Sequence, residues 1–250
     1  MKRVFGLIGY PLGHSFSKKY FTEKFEKEQI AGCSYELFEI PEVAEIRTIL
    51  SNEPDLHGFN ITIPYKEQIL PYLQAIDEDA AAIGAVNVVK ITDGQLKGFN
   101  TDFIGFRDSL RQLVGQNMPA KALILGTGGA SKAIAYTLQQ SGVDYQYVSR
   151  SAKASSISYD DLKTSPQWLN THHLIVNTTP LGTYPKTDAA PDIPYDQLSD
   201  QHFLYDLVYN PAETRFMQLG AEKGAKTSNG YEMLVRQAEA AWDIWNNPTA

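Results

Sequence analysis

Short apolar stretches of strand length alternate with longer amphipathic stretches along most of the chain. Strands are predicted at Val4 to Gly9, Cys33 to Ile40, Gly58 to Ile63, Val86 to Ile91, Leu96 to Phe99, Ala122 to Leu125, Tyr145 to Ser149, Leu174 to Asn177 and Phe203 to Val208. Helices are predicted at Ser17 to Gln29, Glu42 to Leu50, Glu67 to Leu73, Glu78 to Ile83, Phe103 to Leu113, Ser131 to Ser141, Ala212 to Lys223 and Tyr231 to Trp245. This alternation predicts the α/β class, with mainly parallel sheets covered by helices.

The pattern also predicts two domains. The pair Asp93-Gly94 between two apolar runs indicates a β-hairpin, which makes the first sheet mixed rather than purely parallel. The polar stretch "GQNMPAK" after Val114 is typical of the approach to a new βαβ unit. We therefore predict one domain over residues 1–101, completed by a C-terminal helix over 230–250, and a second over 102–229.

Composition and charge exclude several classes of protein. The chain has 250 residues, of which 43% are hydrophobic and 20% charged. This composition predicts a folded globular protein rather than a disordered one. A net charge of -7 with scattered basic residues disfavours a nucleic-acid partner. The single Cys33 excludes an internal disulfide and a cysteine-rich metal site, and we predict no metal. With no signal peptide or membrane-length apolar run in the sequence, we expect a cytoplasmic protein without a membrane partner.

The most informative local pattern is "ALILGTGGASKAIAYTL", an apolar strand followed by a glycine-rich turn and an alanine-rich helix. Glycines allow a tight turn and bring backbone N–H groups close to a diphosphate, which the helix N-terminus also attracts. The third glycine of the usual Gly-x-Gly-x-x-Gly spacing is replaced here by Ser131. The pattern favours a Rossmann-like, doubly wound dinucleotide-binding domain over a structural turn. The predicted contacts to the diphosphate are Gly126, Thr127, Gly128, Gly129, Ala130 and Ser131.

The end of the next strand decides which dinucleotide is favoured. The sequence there is Ser149-Arg150-Ser151, with Lys153 close behind, where an acidic residue would hold the free ribose of NAD. Arg150 can instead fork onto phosphate oxygens, with the hydroxyl of Ser149 or Ser151 beside it. We predict NADP as the cofactor; the alternative is a solvated arginine at a strand end.

The stretch "FNITIPYK" alternates like a strand and then presents Lys66 after a proline. A polar strand face that meets water would explain the alternation alone. A lysine is protonated near neutral pH, however, and carbonyl reduction by a nicotinamide needs a proton donor. Asp102, in "GFNTDFIGF", is a candidate carboxylate partner for Lys66, although an Asp that opens a helix is often only its N-cap.

Taken together, these motifs resemble the shikimate dehydrogenase family nearly from end to end. The matching segments, in the family's order, are "GYPLGHSFS", "NITIPYK", "GAVNVV", "GFNTD", "GTGGAS", "SRS", "NTTPLG", "DLVYNP" and "NGYEMLVRQA". The resemblance implies an NADP-dependent alcohol oxidoreductase that reduces 3-dehydroshikimate to shikimate in chorismate and aromatic amino-acid biosynthesis. It also implies a two-lobed enzyme, with an N-terminal mixed α/β substrate domain.

Carried over position by position, the resemblance implies roles for individual residues. Lys66 and Asp102 match the catalytic pair, Arg150 the 2′-phosphate clamp, and Thr178 the nicotinamide-side loop. Tyr209 and Gly230 match residues that close the cleft near the nicotinamide, with Tyr209 expected to bind the substrate and Gly230 the cofactor. The residues that match the substrate pocket are Ser15, Ser17, Asn60, Thr62, Asn87 and Gln237, with Asn60 in a supporting role. We expect a small-molecule substrate and a monomer or homodimer.

Some residues depart from the family pattern. Lys18-Lys19-Tyr20 follow "SFS" where Pro is usual, "SRS" replaces Asn-Arg-Thr, and Thr183 stands in a segment where Gly-Met is common. Fine cofactor selectivity and cleft closure are therefore open. Two alternatives stay open as well: an enzyme of the same fold that accepts quinate or uses NAD, and a non-catalytic nucleotide sensor.

Overall fold

The computed structural model describes residues 2–13, 15–152 and 155–248 of the chain. The chain forms two compact units. One joins the segment up to Thr101 with the segment that follows Gln237, and the other runs from Asp102 to Gln237. The C-terminal helix, which we assigned whole to the first unit, is thus divided between the two, because its first turns pack with the second unit.

The first unit is built on one mixed sheet. Its elements are β1 Arg3–Gly9, α1 Phe16–Lys27, β2 Cys33–Glu39, α2 Ile46–Asn52, β3 Leu56–Ile61, β4 Ala75–Ile76, α3 Glu78–Ile83, β5 Val88–Thr92 and β6 Gln95–Phe99. The strand order is β2-β1-β3-β5-β6-β4. Strand β1 pairs in parallel with β2 and β3, whereas β5 is antiparallel to β3 and β6. Asp93 and Gly94 both have positive φ angles, as the predicted hairpin turn requires.

Strand alternation divides the apolar side chains of this sheet between its two faces. Val4 and Ile8 of β1 lie in one core cluster with residues of α2. Phe5 and Leu7 point the other way, into a cluster that includes Trp245 near the C-terminus. Trp245 stacks on Phe5, with ring centroids 4.8 Å apart. The end of the chain therefore supplies part of the first unit's core.

We expect the substitution Gly58→Ala to destabilise the first unit by about 2–4 kcal/mol, because this strand position has no room for a Cβ. A Cβ there would lie 2.4 Å from Nε1 of Trp245 and 2.8 Å from the carbonyl oxygen of Val89. These two atoms form a buried hydrogen bond of 3.0 Å. Urea denaturation measures the effect. Gly13→Ala is the matched control, since a Cβ at Gly13 meets nothing within 4 Å; equal costs for the two variants would contradict the expectation.

The second unit is built on a purely parallel sheet. Its elements are α4 Asp102–Val114, β7 Lys121–Leu125, α5 Gly129–Gln140, β8 Asp144–Ser149, β9 Ser156–Ser158, α6 Tyr159–Thr164, α7 Gln167–Thr171, β10 Leu174–Asn177, β11 Phe203–Asp206, α8 Arg215–Ala221 and β12 Lys226–Ser228, and α9 Tyr231–Asn246 begins in it. The strand order is β12-β11-β10-β7-β8-β9. The order reverses direction between β7 and β10, so this is the doubly wound sheet that the sequence predicted, and its switch point lies beside the glycine turn.

Both faces of this sheet are covered. Ala122 and Ile124 of β7 pack into a core with α4 and α5. Leu123 and Leu125 pack on the opposite face with α6, α7 and α8. A strand buried on both faces reads as a continuous apolar run, which is why "ALIL" was recognisable in the sequence.

Several predicted elements differ from the observed ones. Residues 67–73, predicted as a helix, form turns and a short 3₁₀ segment at Leu70–Tyr72, because Pro71 interrupts the helical hydrogen bonding. The strand predicted to end at Ile63 ends at Ile61. Strands β4, β9 and β12 and helices α6 and α7 were not predicted, since two to six residues give too little periodicity. Within the described ranges, no helix is both long enough and apolar enough to cross a membrane.

Candidate active site

The glycine-rich turn after β7 has the conformation that its sequence predicted. Gly126 has φ +107°, a region that side chains disfavour, and a Cβ there would lie 2.8 Å from Oγ1 of Thr178. Gly128 is the N-cap of α5, and a Cβ on it would meet nothing within 4 Å. The turn is therefore tight on the protein side and open in front of the helix. A diphosphate needs this combination to approach backbone N–H groups.

A cavity of about 530 Å³ adjoins this turn. It is lined by Gly126, Thr127, Gly128, Val148, Ser149, Arg150, Tyr159, Thr178, Thr179, Pro180 and Leu181. Six of the predicted cofactor residues thus line one cavity, although they come from three segments of the chain. Its volume suits a ligand of nucleotide size.

The other predicted cofactor residues that the structure describes do not line this cavity. Gly129 and Ala130 begin α5, and the buried Ser131 donates its hydroxyl to the Gly128 carbonyl at 2.7 Å, which secures the turn. Ser151 directly follows Arg150 and is exposed. The prediction for Lys153 falls outside the described residues.

A buried carboxyl group, which the sequence analysis did not identify, fixes the loop after β10 through hydrogen bonds. Asp206, fully buried at the end of β11, accepts hydrogen bonds from Nδ2 of Asn177 at 2.9 Å, Oγ1 of Thr214 at 2.6 Å and the Val208 N–H at 3.0 Å. The Oδ1 atom of Asn177 in turn accepts from the N–H and the hydroxyl of Thr179. Asp206 thereby fixes one wall of the cavity, and "DLVYNP" was its only sequence signal.

We expect the substitution Asp206→Asn to remove a pH-dependent part of the stability. Burial raises the pKa of Asp206 from 3.8 to about 6, so the folded state holds this proton more tightly than the unfolded state. The resulting stabilisation is fully present below the unfolded pKa and is lost as the pH rises to about 6. An Asn keeps the geometry, with its amide nitrogen placed to donate to the Thr214 hydroxyl.

Between about pH 4 and pH 7, the free energy of unfolding of the wild type should therefore fall relative to that of Asp206→Asn by at most about 3 kcal/mol. Urea denaturation of both proteins across this range tests it. Parallel curves would show that Asp206 titrates normally in the folded state.

In the first unit, two predicted substrate residues, Asn60 and Asn87, are joined by one buried hydrogen-bond network. Oδ1 of Asn60 accepts from the Tyr35 hydroxyl at 2.6 Å, and Nδ2 of Asn60 donates to the carbonyl of Asn87 at 3.3 Å. Burial raises the pKa of Tyr35, with a smaller opposing influence of the nearby Ser17, so the Tyr35 hydroxyl stays a neutral donor. Sequence reasoning missed Tyr35. Because both ends of the Asn60 amide are engaged within the protein, this residue supports its neighbours.

Asn87 is itself fixed by the residue that ends the first unit. Its Oδ1 accepts from the Thr101 N–H at 2.6 Å, and its Nδ2 donates to the Thr101 hydroxyl at 3.0 Å. The next residue in the chain, Asp102, is buried and opens α4. The motifs "GAVNVV" and "GFNTD" are thus connected through Asn87 and Thr101.

In the structure, the stretch "FNITIPYK" leaves its strand at Thr62 and continues into turns that hydrogen bonds hold in place. Thr62 leaves the strand with its N–H on the Ile8 carbonyl at 2.9 Å, and a series of turns follows. Within them, the Tyr65 side chain turns inward to donate to the Ile40 carbonyl at 2.6 Å. The carbonyl of Lys66 accepts from the Val86 N–H at 2.8 Å. The backbone on both sides of Lys66 is therefore fixed, while its side chain stays partly exposed.

The remaining predicted residues are positioned by local structure. Ser15 is the N-cap of α1 and accepts from the Lys18 N–H, so the altered "SFSKKY" still opens a helix, beginning at Phe16. Gly230 precedes α9, and a Cβ there would lie 2.2 Å from the Leu207 carbonyl oxygen. Tyr209 is about one-third exposed after β11. Gln237, buried in α9, donates to the Leu234 carbonyl.

The described residues contain no group of three or more His, Cys, Asp or Glu side chains placed to hold a metal ion. The strand order, the glycine turn and the cavity beside it define the second unit as a Rossmann-type nucleotide-binding unit, joined to a mixed α/β unit. A family model described as the shikimate dehydrogenase substrate binding domain matches residues 7–89, within the first unit.

Known proteins match nearly the whole chain. A shikimate dehydrogenase (NADP(+)) of Caldanaerobacter subterraneus subsp. tengcongensis is 37% identical over 97% of this chain and 91% of its own length. The crystal structure of the Thermus thermophilus shikimate 5-dehydrogenase, in complex with NADP(H) and shikimate, matches with a TM-score of 0.84 and 30% identity, over 98% of this chain and 93% of that one. The Listeria monocytogenes enzyme in complex with shikimate and NAD matches with a TM-score of 0.87 and 27% identity, over 98% and 91%. The chain belongs to the shikimate dehydrogenase family, which confirms the predicted resemblance.

Proposed function

We propose that this protein is an NADP-dependent shikimate dehydrogenase that catalyses the reversible reduction of 3-dehydroshikimate to shikimate, a step of chorismate and aromatic amino-acid biosynthesis. Family membership over nearly the whole chain supports the reaction class. The observation that carries the assignment is the cavity of the second unit, in which a glycine turn and Arg150 line the same space.

The cavity fits the cofactor. Gly126 and Gly128 leave the first turn of α5 open to a diphosphate, and Arg150 supplies a guanidinium for the 2′-phosphate. Thr178 adjoins the same turn, and its hydroxyl donates to the Leu125 carbonyl at 2.8 Å, so its position is fixed. When bound, NADPH supplies a hydride to the carbonyl carbon of the substrate.

We assign the recognition of substrate to polar side chains of the first unit and of α9. A ring that carries a carboxylate and several hydroxyls needs short, uncharged donors and acceptors. Tyr35 and Asn60 hold Asn87 in place through the buried network described above, and Ser17 lies near Tyr35. We propose Ser15, Ser17, Thr62, Asn87, Tyr209 and Gln237 as substrate contacts, with Asn60 in support. An analogue that lacks one hydroxyl would leave a partner unpaired and bind more weakly.

We assign the proton chemistry to Lys66 and Asp102. As the carbonyl becomes an alcohol, negative charge develops on its oxygen, and the Lys66 ammonium stabilises that charge and donates the proton. In the oxidation of shikimate, the neutral amine takes the proton back. Asp102 accepts a hydrogen bond from a neighbouring substrate hydroxyl, which fixes the ring for reaction. The turns around Lys66 hold its backbone, so the point from which its side chain extends is fixed before the substrate binds.

Steady-state assays with both alcohols and both cofactors test this proposal. We expect shikimate with NADP⁺ to give the highest kcat/KM, and a change to NAD⁺ to lower it by about 100-fold, the value of one strong charge-assisted contact. Higher kcat/KM with quinate or NAD⁺ would show a different member of the family. NADPH binding without turnover of either alcohol would show a nucleotide sensor.

A further inference from the structure

The connection between β8 and β9 is unusually short. These strands run parallel, and their register pairs Tyr147 with Ser156 and Ser149 with Ser158. Only residues 150–155 join them. Parallel neighbours are usually joined by a dozen or more residues that include a helix. Because Ser149 and Ser158 are paired, the residue after Ser158 lies beside Arg150, the residue that follows β8.

That residue is Tyr159, the first of α6, and it lines the same cavity as Arg150 and the glycine turn. Among the described residues that line this cavity, it is the only aromatic one. A capping box fixes its backbone: the Ser158 hydroxyl accepts from the Asp161 N–H at 3.0 Å, and the Asp161 carboxylate accepts from the Ser158 N–H at 2.9 Å. Tyr159 is therefore a built part of the wall.

The Tyr159 hydroxyl is an available donor. Burial, with a smaller contribution from the carboxylate of Asp192, raises the pKa of Tyr159 to about 12, so the phenol is protonated at neutral pH. The charge of Asp192 is balanced by an ion pair with Lys163. No residue in the described ranges hydrogen-bonds the Tyr159 hydroxyl, and the half-buried ring reaches the cavity.

Of the two hydroxyls predicted beside Arg150, those of Ser149 and Ser151, the first is already engaged. Ser149 donates to the carbonyl of Ser151, and its oxygen lies 3.0 Å from Oγ of Ser156. These bonds close the turn at Arg150 and leave Ser149 no proton for a ligand. A phosphate dianion presents three acceptor oxygens, so a second donor beside Arg150 adds to its binding.

We propose that Tyr159 donates a hydrogen bond to the 2′-phosphate of NADP beside Arg150 and thereby adds to the preference for NADP over NAD. This inference rests on the proposed function, in which NADP is the cofactor. It assigns part of the cofactor selectivity to a residue outside the "SRS" motif, brought there by the six-residue connection.

Calorimetric titrations with 2′,5′-ADP and 5′-AMP test it without catalysis, because the two probes differ only in the 2′-phosphate. We expect Tyr159→Phe to weaken 2′,5′-ADP binding about tenfold, the value of a hydrogen bond to a charged group, and to leave 5′-AMP binding unchanged. Tyr145→Phe is the matched control, since this half-buried tyrosine of β8 does not line the cavity. It should bind both probes as the wild type does.

Unchanged 2′,5′-ADP binding by Tyr159→Phe would overturn the inference. If Tyr159→Leu then weakened both probes, the ring would instead pack on the adenine, which also overturns it. A wild type that binds both probes equally would overturn the inference together with the NADP assignment. A tenfold selective loss in a protein that fails to oxidise shikimate would support the inference while refuting the proposed reaction.

Discussion

Replacing Lys66 by Met is expected to lower kcat for the reduction of 3-dehydroshikimate by about 10²- to 10⁴-fold, the usual contribution of a positioned general acid. Methionine keeps most of the length of the lysine chain but cannot stabilise the developing alkoxide or donate a proton. Because the backbone of Lys66 is held by its carbonyl bond to Val86 and by the inward-turned Tyr65, the fold should survive the change.

Stopped-flow and steady-state kinetics with NADPH measure this effect, and the thermal midpoint of unfolding checks the fold. Lys27→Met is the matched control, because Lys27 is exposed at the end of α1 and does not line the cavity described above. It should react as the wild type does. A Lys66→Met enzyme that kept its kcat and lost only substrate affinity would reduce Lys66 to a binding residue.

Replacing Gly126 by Ala is expected to weaken NADPH binding by about 30- to 100-fold, the equivalent of about 2–3 kcal/mol. The new methyl group would meet the Thr178 hydroxyl at 2.8 Å in a backbone conformation that alanine avoids. The turn must shift to relieve this contact, and the first N–H groups of α5 then no longer meet the diphosphate together.

Fluorescence titration with NADPH measures the loss, and shikimate binding by the same protein serves as the internal control. Gly128→Ala separates two causes, since its Cβ meets no protein atom within 4 Å. If Gly128→Ala also loses NADPH affinity while keeping its stability, the added methyl group must collide with the bound NADPH itself. Wild-type NADPH affinity in Gly126→Ala would show that the turn does not hold the diphosphate.

The fold followed from the sequence wherever burial on both sides left a continuous apolar run. The stretch "ALIL" and the positions around it gave the parallel sheet, and Asp93-Gly94 gave the hairpin. Residues 67–73 misled because the apolar spacing of a helix can also be met by successive turns around a proline. Strand β9 was not predicted because its three residues include two serines and show no apolar pattern. Its conformation depends on pairing with the neighbouring strand β8.

The sequence motifs of the candidate site could be recognised in advance, whereas the residues that hold those motifs in place could not. Gly126, Arg150 and Thr178 were predicted from their motifs, and they line one cavity in the structure. Tyr35, Asp206 and Tyr159 could not be predicted, because their roles depend on contacts between residues far apart in the sequence. Asp206 joins three segments by hydrogen bonds, and only a three-dimensional structure shows that they meet.

Isotope transfer tests the central claim most directly, namely that this chain moves a hydride between NADPH and the substrate carbonyl. NADPH deuterated at both C4 positions is incubated with 3-dehydroshikimate and the purified protein, and the product is examined by NMR and mass spectrometry. The account predicts shikimate with one deuterium on the carbon that bore the carbonyl. Formation of shikimate without deuterium at that carbon, or no shikimate in the presence of bound NADPH, would contradict it.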